Sequence, residues 1–441
     1  MKRRPKQIRA KLVDLVRKMS EHPEAYIRCP GKDFSRKRKL PFEKMIGTLL
    51  CLKGGSLTCE LLDAFGCSAN TATSSAFIQQ RDKIRHDALA DLFHSFVRTM
   101  ESNTLYKGYR LLAVDGSDIH VPTNPDDPNS HFVRKDGGRP YNLLHLNAMY
   151  DLLSHTYADA VVQKCRIMDE NQAFCVMVDR ADGSPAIFIA DRGYESYNNM
   201  AHVQEKGWFY LIRAKDNWGG IASGLDMPDT DEFDMPVSLY LTRKQTNEMK
   251  EIVKKRDDYR LLRNSQTFDY LPIKNRKSIP VPPYVLSFRI VRFKITDDTY
   301  ETVVTNLDAG SFPAAELKKL YHMRWGIETS FRELKYTLGL LHFHAKKTES
   351  VLQEIFVSLI MYNFTELITS HVISQKKNRK YLCKANFSAA VHVCRQFLMG
   401  NVSPPDLETL IARYVSPVRP GRIFPRNLKP RAAVSFLYRI A

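Results

Sequence analysis

Four polar residues in the C-terminal third of the chain are spaced so that one helix would bring them together. Tyr321, Arg324, Glu328 and Lys335 lie in residues 313–341, a segment without internal proline that ends near Gly339, so we expect one long helix. At about 100° per residue the four form a band about 60° wide. The band borders an apolar stripe of Leu320, Met323, Ile327, Phe331, Leu334 and Leu338. An ordinary amphipathic helix with a mixed-charge edge is the simpler interpretation.

Two aspartates upstream each follow a short apolar run. LLAV precedes Asp115 and AIFIA precedes Asp191, and such runs predict buried strands that end in a carboxylate. A single Asp after a strand is usually a turn residue. Together with Glu328, however, the two aspartates could hold two hard divalent cations, which stabilise the attacking and leaving oxygens when a phosphodiester is cut.

The first 105 residues are predicted to be helical. A helix over residues 56–65 breaks at Gly66, and Ser68 or Asn70 could cap a second helix that carries Arg81, Lys83 and Arg85. This pattern fits a helix-turn-helix that binds DNA, and it fits two packed helices with a solvated basic face about equally well.

Strands dominate after Gly108. Two strands around a turn near residues 153–155 are followed by a helix, the strand before Asp191, and a strand over residues 208–215 that ends in Arg213 and Lys215. This order predicts an α/β fold with a mixed sheet of the ribonuclease H kind. Prolines then divide residues 217–299 into short pieces, which we interpret as a β-rich insertion. A change of phase between Ile290 and Val291 predicts a β-bulge there.

The net charge of +18 is concentrated at the two ends of the chain. Residues 1–40 carry 14 Lys and Arg against 4 Asp and Glu, residues 371–441 carry 13 against 2, and the middle carries 39 against 42. Two basic ends favour contact with a polyanion such as DNA or RNA, although a solvated basic surface is the usual explanation of a charge run.

Cysteine spacing and hydropathy indicate where in the cell the protein is located. The eight cysteines are spread out without a CxxC pair, which fits reduced thiols better than disulfides or a zinc site. The longest nearly apolar run, residues 355–362, is far shorter than the roughly 20 residues of a membrane helix. We therefore expect a soluble, cytoplasmic protein without membrane contact.

The spacing Tyr321, Arg324, Glu328, Lys335, with Trp325 after the arginine, resembles the Tyr-Arg-Glu-Lys signature of the fourth insertion-sequence family of DDE transposases. Asp115 before Gly-Ser and Asp191 before Arg-Gly-Tyr also resemble that family. The resemblance implies that Asp115, Asp191 and Glu328 are catalytic and bind two Mg²⁺ ions per active site, which Mn²⁺ can replace. It also implies that Tyr321, Arg324 and Lys335 contact DNA, and we add Trp325, Arg213 and Lys215 as candidate contacts.

The resemblance implies a division of the chain as well. We expect a DNA-binding region over residues 1–105, a catalytic domain over 106–216 and 300–370 that flanks the insertion at 217–299, and a basic C-terminal region over 371–441. Tyr300 would stack on a flipped base, and a homodimer would join the terminal inverted repeats of the element to target DNA. The implied activity is cut-and-paste transposition through nicking, hairpin formation, hairpin opening and insertion.

Two other classes of function remain open at this point. A domesticated protein that binds DNA without cutting it would keep the basic ends but would have little use for three matched carboxylates. A glycosidase-like hydrolase would use paired carboxylates for acid and base catalysis, but it would need a substrate cleft rather than basic ends.

Overall fold

A computed structural model of the chain describes residues 5–36, 38–100, 104–215, 220–273, 281–374 and 383–417. The helices are α1 (Pro5–Glu21), α2 (Phe42–Cys51), α3 (Leu57–Ala64), α4 (Ser74–Arg81), α5 (Ala88–Thr99), α6 (Glu170–Arg180), α7 (Tyr197–Glu205), α8 (Asn247–Lys255), α9 (Ala314–Met323), α10 (Trp325–Tyr336), α11 (Thr348–Ser374), α12 (Phe387–Met399) and α13 (Pro404–Arg413). The strands are β1 (Arg110–Val121), β2 (His131–Phe132), β3 (Tyr141–Asp151), β4 (Thr156–Lys164), β5 (Ala186–Ala190), β6 (Phe209–Arg213), β7 (Phe233–Thr242), β8 (Tyr259–Leu261), β9 (Tyr284–Thr296), β10 (Thr299–Thr305), β11 (Cys383–Ala385) and β12 (Val415–Pro417).

A ten-stranded mixed sheet organises the described part of the chain. Its order is β2-β3-β1-β5-β6-β10-β9-β7-β8, and β4 pairs with β3 as well. β1 lies between β3, which is antiparallel to it, and β5, which is parallel to it. The strands from residues 217–299 join the same sheet, because β9 pairs with β10 and β7 pairs with β9. The prediction of an α/β fold with a mixed sheet is confirmed.

The sheet is buried on both faces, which explains its continuous apolar runs. Leu111 and Ala113 of β1 belong to one core, Leu112 and Val114 belong to the other, and all four are fully buried. Helices α5, α10 and α11 contribute to the first core, and α6 and α7 contribute to the second.

Helix α11 is the central helix of the first core. It packs against α5, α12, α1 and β4, so it covers one face of the sheet at β4. By length and composition alone Thr348–Ile373 could cross a membrane, but 83% of its most apolar window is buried inside the protein. Buried core helices pass the same test, so this helix is weak evidence for a membrane span.

The prediction of one long helix over residues 313–341 is wrong. The helix is interrupted at Arg324, which separates α9 from α10, and α10 ends at Tyr336. Around the interruption the Arg324 N–H bonds to the Tyr321 carbonyl at 3.0 Å, and the Ile327 N–H bonds to the Arg324 carbonyl at 3.1 Å. Bonds that span three residues tighten the turn in the manner of a 3₁₀-helix, and sequence periodicity does not register this change.

The predicted bulge in β9 is also wrong. The pairing of β9 with β7 and β10 runs through Ile290 and Val291 without a shift, and the irregularity lies at Thr299 and Tyr300 instead. The apolar phase changes because Leu286, Phe288 and Ile290 contact one core, whereas Val291 and Phe293 contact the other. Side chains therefore keep alternating along β9, and the apolar ones face one core up to Ile290 and the other core from Val291.

Two details of the predicted helix-turn-helix differ from the structure. Thr73 caps α4 through its side chain, and neither Ser68 nor Asn70 does. Helix α4 ends at Arg81, so Lys83 and Arg85 lie beyond it. Part of the predicted basic C-terminal region, residues 375–382 and 418–441, lies outside the described residues, and this part includes Lys376, Lys377, Arg379 and Lys380.

Arg81 is a buried structural residue rather than part of a solvated basic face. It is 3% exposed, and it bonds Glu354 Oε1 and Gln353 Oε1 of α11, each at 2.8 Å. Burial opposes the charge of Glu354, but Arg81 and His344 outweigh burial and lower the pKa of Glu354 to about 2. The contact fastens the N-terminal helices to α11.

Replacing Arg81 should therefore destabilise the fold. Arg81→Met leaves Glu354 buried without its guanidinium partner, and breaking such a pair costs about 3–5 kcal/mol. We expect a loss of that size in the free energy of unfolding, measured by urea denaturation. Arg85→Met is the matched control, because Arg85 is exposed and pairs with the nearby Asp87, so its loss should cost less than about 1 kcal/mol. Equal effects of the two substitutions would contradict the structural role of Arg81.

Candidate active site

The register of two parallel strands brings two of the predicted catalytic carboxylates to one edge of the sheet. The pairing of β1 with β5 ends at Val114 and Ala190, and the next residues are Asp115 and Asp191. Asp115 does not end its strand as predicted, because β1 continues to Val121 and pairs Asp115 with Ala148 of β3. Asp191 does follow the end of β5, and its side chain accepts a hydrogen bond from the Arg192 N–H at 2.7 Å.

Close packing explains why residue 116 is a glycine. Its N–H donates to Asp115 Oδ1 at 2.9 Å, which orients the carboxylate. A Cβ at this position would overlap the imidazole of His145 and would lie 2.8 Å from Glu170 Oε1. Any larger residue would therefore displace the side chains of His145 and Glu170.

Arg324 joins the carboxylates of the strand and the helix. Its Nη1 lies 3.7 Å from Asp115 Oδ2, and its Nη2 donates to Glu328 Oε1 at 3.0 Å. The Arg324 side chain is only 6% exposed. Burial raises the pKa of Asp115 to about 6, the negative charges of Glu328 and Asp191 add to this, and Arg324 opposes it. The three carboxylates are thus electrostatically coupled.

Asp191 is contacted by two more of the predicted residues. The Tyr321 hydroxyl donates to Asp191 Oδ1 at 3.5 Å, and Arg213 Nη1 lies 3.9 Å from the same oxygen. Arg213 Nε also lies 3.3 Å from Glu301 Oε1. Arg324 makes cation–π contacts with two aromatic rings, and its guanidinium carbon lies 5.6 Å from the Tyr321 centroid and 5.4 Å from the Trp325 centroid.

The remaining predicted DNA contacts are Lys335, Trp325, Lys215 and Tyr300. Lys335 is partly buried, which lowers the pKa of its ammonium, and the charge of Asp118 on β1 opposes that shift. Trp325 is half exposed and Lys215 is exposed. Tyr300 packs against Arg292 and shares a cleft of about 840 Å³ with Arg213, Lys318, Lys319, Tyr321 and Trp325.

A family model described as a transposase DDE domain matches residues 106–364, which include all three carboxylates. The chain belongs to the DDE transposase family. It is accordingly a DNA transposase, an enzyme of metal-dependent DNA cleavage and strand transfer. The resemblance to the fourth insertion-sequence family is confirmed, because transposase InsG of insertion sequence element IS4 from Escherichia coli (strain K12) is 24% identical over 443 residues, covering 93% of this chain and 90% of that protein.

A solved structure gives a second comparison for this transposase. The chain is similar to a piggyBac transposase in a synaptic complex with hairpin DNA, at 10% identity and a TM-score of 0.45. The match covers 95% of this chain and 86% of the other.

Sequence reasoning missed a polar network behind Asp115 of the transposase. Asp118 and His145 are cross-strand partners on β1 and β3, with Asp118 Oδ1 2.7 Å from His145 Nδ1. Glu170 Oε1 lies 2.9 Å from His145 Nε2. Burial alone would lower the pKa of His145, but Asp118, Cys165 and Glu170 raise it to about 11. Only the strand register could have revealed this network, and no local motif encodes that register.

The raised pKa of Asp115 predicts a pH-dependent gain in stability when its charge is removed. In the metal-free protein the protonated Asp115 carboxyl contributes to the stability of the folded state. This contribution is complete below about pH 4 and is lost as pH rises through about 6. Asp115→Asn does not titrate, so its free energy of unfolding relative to wild type should rise by up to about 3 kcal/mol across that interval. Urea denaturation in EDTA at several pH values measures this. The exposed Asp126→Asn should show no such rise, and a flat difference for Asp115→Asn would contradict the raised pKa of Asp115.

Proposed function

We propose that this transposase cuts and joins DNA in cut-and-paste transposition, with Asp115, Asp191 and Glu328 as its metal-binding catalytic residues. The observation that carries the proposal is the convergence of the three carboxylates, from β1, β5 and α10, around Arg324 and Tyr321. Three separate elements supply carboxylates to one place, and all three carboxylates are partly exposed.

The donor set suits magnesium. All three side chains offer oxygen ligands, which hard divalent cations prefer, and Mn²⁺ accepts the same ligands. Asp115 is partly desolvated and has Arg324 as a cationic neighbour, and a divalent ion would offset more of that desolvation. When bound, two such ions would supply the charge that stabilises the attacking and leaving oxygens at phosphorus.

The cationic side chains around the carboxylates would hold the DNA backbone. Arg324 presents a planar guanidinium suited to paired contacts with phosphate oxygens. Lys335 supplies a point charge. Tyr321 orients Asp191 through its hydroxyl. These residues would fix the scissile phosphate so that water attacks first and the freed 3′ hydroxyl attacks next, through the nick, hairpin and insertion sequence typical of the family.

The surface next to the carboxylates suits DNA. The cleft between β10 and α9 combines Lys318, Lys319 and Arg213 with the aromatic rings of Tyr300 and Trp325. Lysine and arginine neutralise phosphates, and exposed aromatic rings stack on unpaired bases. We infer that Lys215, at the end of β6, extends this surface, and that Tyr300 or Trp325 stacks on a base displaced from the duplex.

The order of the sheet supports the ribonuclease H-like assignment. β4, β3 and β1 form an antiparallel run, and β5 and β6 continue it in parallel with β1. We propose that residues 106–216 and 300–370 form this catalytic domain around an insertion at 217–299. We also propose that two copies act together on the two ends of the element, in the cytoplasm and away from membranes.

Substitution of the carboxylates separates catalysis from binding. Asp115→Asn, Asp191→Asn and Glu328→Gln keep side-chain size but remove the charge that holds a cation, so each should lower strand cleavage at least about 100-fold. Binding of the element's own end should be unchanged or slightly tighter. Ca²⁺ should support binding with little cutting, because its geometry is less demanding.

The matched control is Glu316→Gln, a carboxylate on α9 that pairs with Lys107 rather than with Arg324. It should cleave like wild type in the same nicking assay. Substantial Mg²⁺-dependent cleavage by any of the three carboxylate variants would remove that residue from the proposed metal site.

Salt dependence distinguishes the two kinds of DNA contact. Lys215→Ala should reduce the slope of log affinity against log salt by about 0.9, because one phosphate contact is lost. Trp325→Ala should weaken binding by about 1–3 kcal/mol at every salt concentration and leave the slope unchanged. Tyr414→Ala, an exposed aromatic residue at the end of α13, serves as the control and should change neither. Fluorescence anisotropy with an end duplex measures both the affinity and its salt dependence. Wild-type affinity for Trp325→Ala would exclude stacking of a base on Trp325.

A further inference from the structure

Three side chains of different chemistry meet directly beyond Asp115. Asp118 comes from β1, His145 from β3, and Cys165 from the 3₁₀ turn that follows β4. Asp118 Oδ1 lies 2.7 Å from His145 Nδ1 and 3.4 Å from Cys165 Sγ. One ligand atom from each residue lies within 4.8 Å of the other two.

We propose that Asp118, His145 and Cys165 bind one zinc ion. Zinc bonds of about 2.0–2.3 Å in a tetrahedron place neighbouring ligand atoms about 3.3–3.6 Å apart. The oxygen–sulfur separation of 3.4 Å already falls in this range, and the oxygen–nitrogen separation of 2.7 Å needs to open by about 0.6 Å. A thiolate and an imidazole select zinc or a similar soft ion over magnesium. Three protein ligands leave a fourth position for water.

Glu170 would orient the histidine of this site. His145 Nε2 faces Glu170 Oε1 at 2.9 Å, which leaves Nδ1 directed at Asp118 and available to the metal. A carboxylate on the far nitrogen of a metal-bound histidine is a common arrangement that fixes the ring and its tautomer. The absent side chain of Gly116 provides the space for this pair, because a Cβ there would overlap the imidazole.

The zinc site would be separate from the proposed magnesium site. Side chains alternate along a strand, so Asp118 lies on the face of β1 opposite to Asp115. The zinc ion would fasten β1, β3 and the turn after β4 together where β1 extends beyond β5, and it would thereby fix the strand that presents Asp115. Without zinc, Asp118 Oδ1 hydrogen-bonds with His145 Nδ1 and accepts from Cys165 Sγ, and Glu170 lies beside His145 Nε2.

Cobalt substitution tests the site directly. Co²⁺ bound to a thiolate shows a sulfur-to-metal charge-transfer band in the near ultraviolet, which a site made only of carboxylates cannot give. The full chain, reduced and titrated with CoCl₂, should show this band at one equivalent per chain, and zinc should abolish it. Cys165→Ser should lose the band, and exposed Cys29→Ser should keep it.

Two further measurements make the result decisive. The triple variant Asp115→Asn, Asp191→Asn, Glu328→Gln should retain the thiolate band although it cannot cut DNA, so failure of the magnesium proposal would not affect this one. Zinc should also raise the melting temperature of wild type and Cys29→Ser but not of Cys165→Ser, since it would bind the folded state. No thiolate band in wild type, or an equal band in Cys165→Ser, would overturn the proposal and leave the cluster as an ion-pair network only.

Discussion

The buried guanidinium of Arg324 is the contact on which the architecture of the active site depends. It is a cation with a 6% exposed side chain between carboxylates from two elements, Asp115 on β1 and Glu328 on α10. A buried charge is tolerated only with partners, and removal of one partner from such a group costs about 3–5 kcal/mol. Arg324 therefore keeps strand and helix together, and that approach also assembles the three carboxylates.

Two features of the backbone make this contact possible. The tightened turn between α9 and α10 occurs at Arg324 itself, where the guanidinium enters the site. The parallel register of β1 and β5 places Asp115 beside Asp191, because both follow the last paired residues of their strands. Since both strands are buried on the two faces of a wide sheet, neither can slide without exposing its apolar side chains. The sheet thus holds Asp115 and Asp191 in fixed positions.

The sequence was sufficient for features that depend on local pattern. Buried parallel strands read as continuous apolar runs, so the positions of Asp115 and Asp191 were predictable, and the helical band of Tyr321, Arg324 and Glu328 followed from periodicity. The interruption at Arg324 was not predictable, because a turn tightened by 3₁₀ bonds needs neither proline nor a change of pattern. Arg81 was misassigned because its partners lie on α11, far away in the chain.

The network of Asp118, His145, Cys165 and Glu170 was missed for a related reason. Its members come from β1, β3, a 3₁₀ turn and α6, and only the cross-strand register of β1 and β3 brings them together. Spacing rules for metal sites assume ligands that are close in sequence. A site assembled across strands has no such signal, and the spread of the cysteines suggested the opposite conclusion.

Localised oxidative cleavage would test most directly whether the three carboxylates share one metal site. Fe²⁺ can replace Mg²⁺ at oxygen ligands, and with ascorbate and peroxide it generates radicals that cut the nearest backbone. Mass spectrometry of the fragments should show cuts near Asp115, Asp191 and Glu328 together, suppressed by excess Mg²⁺ and lost in Glu328→Gln. Cuts near only one of these residues, or an unchanged pattern in Glu328→Gln, would contradict a shared site.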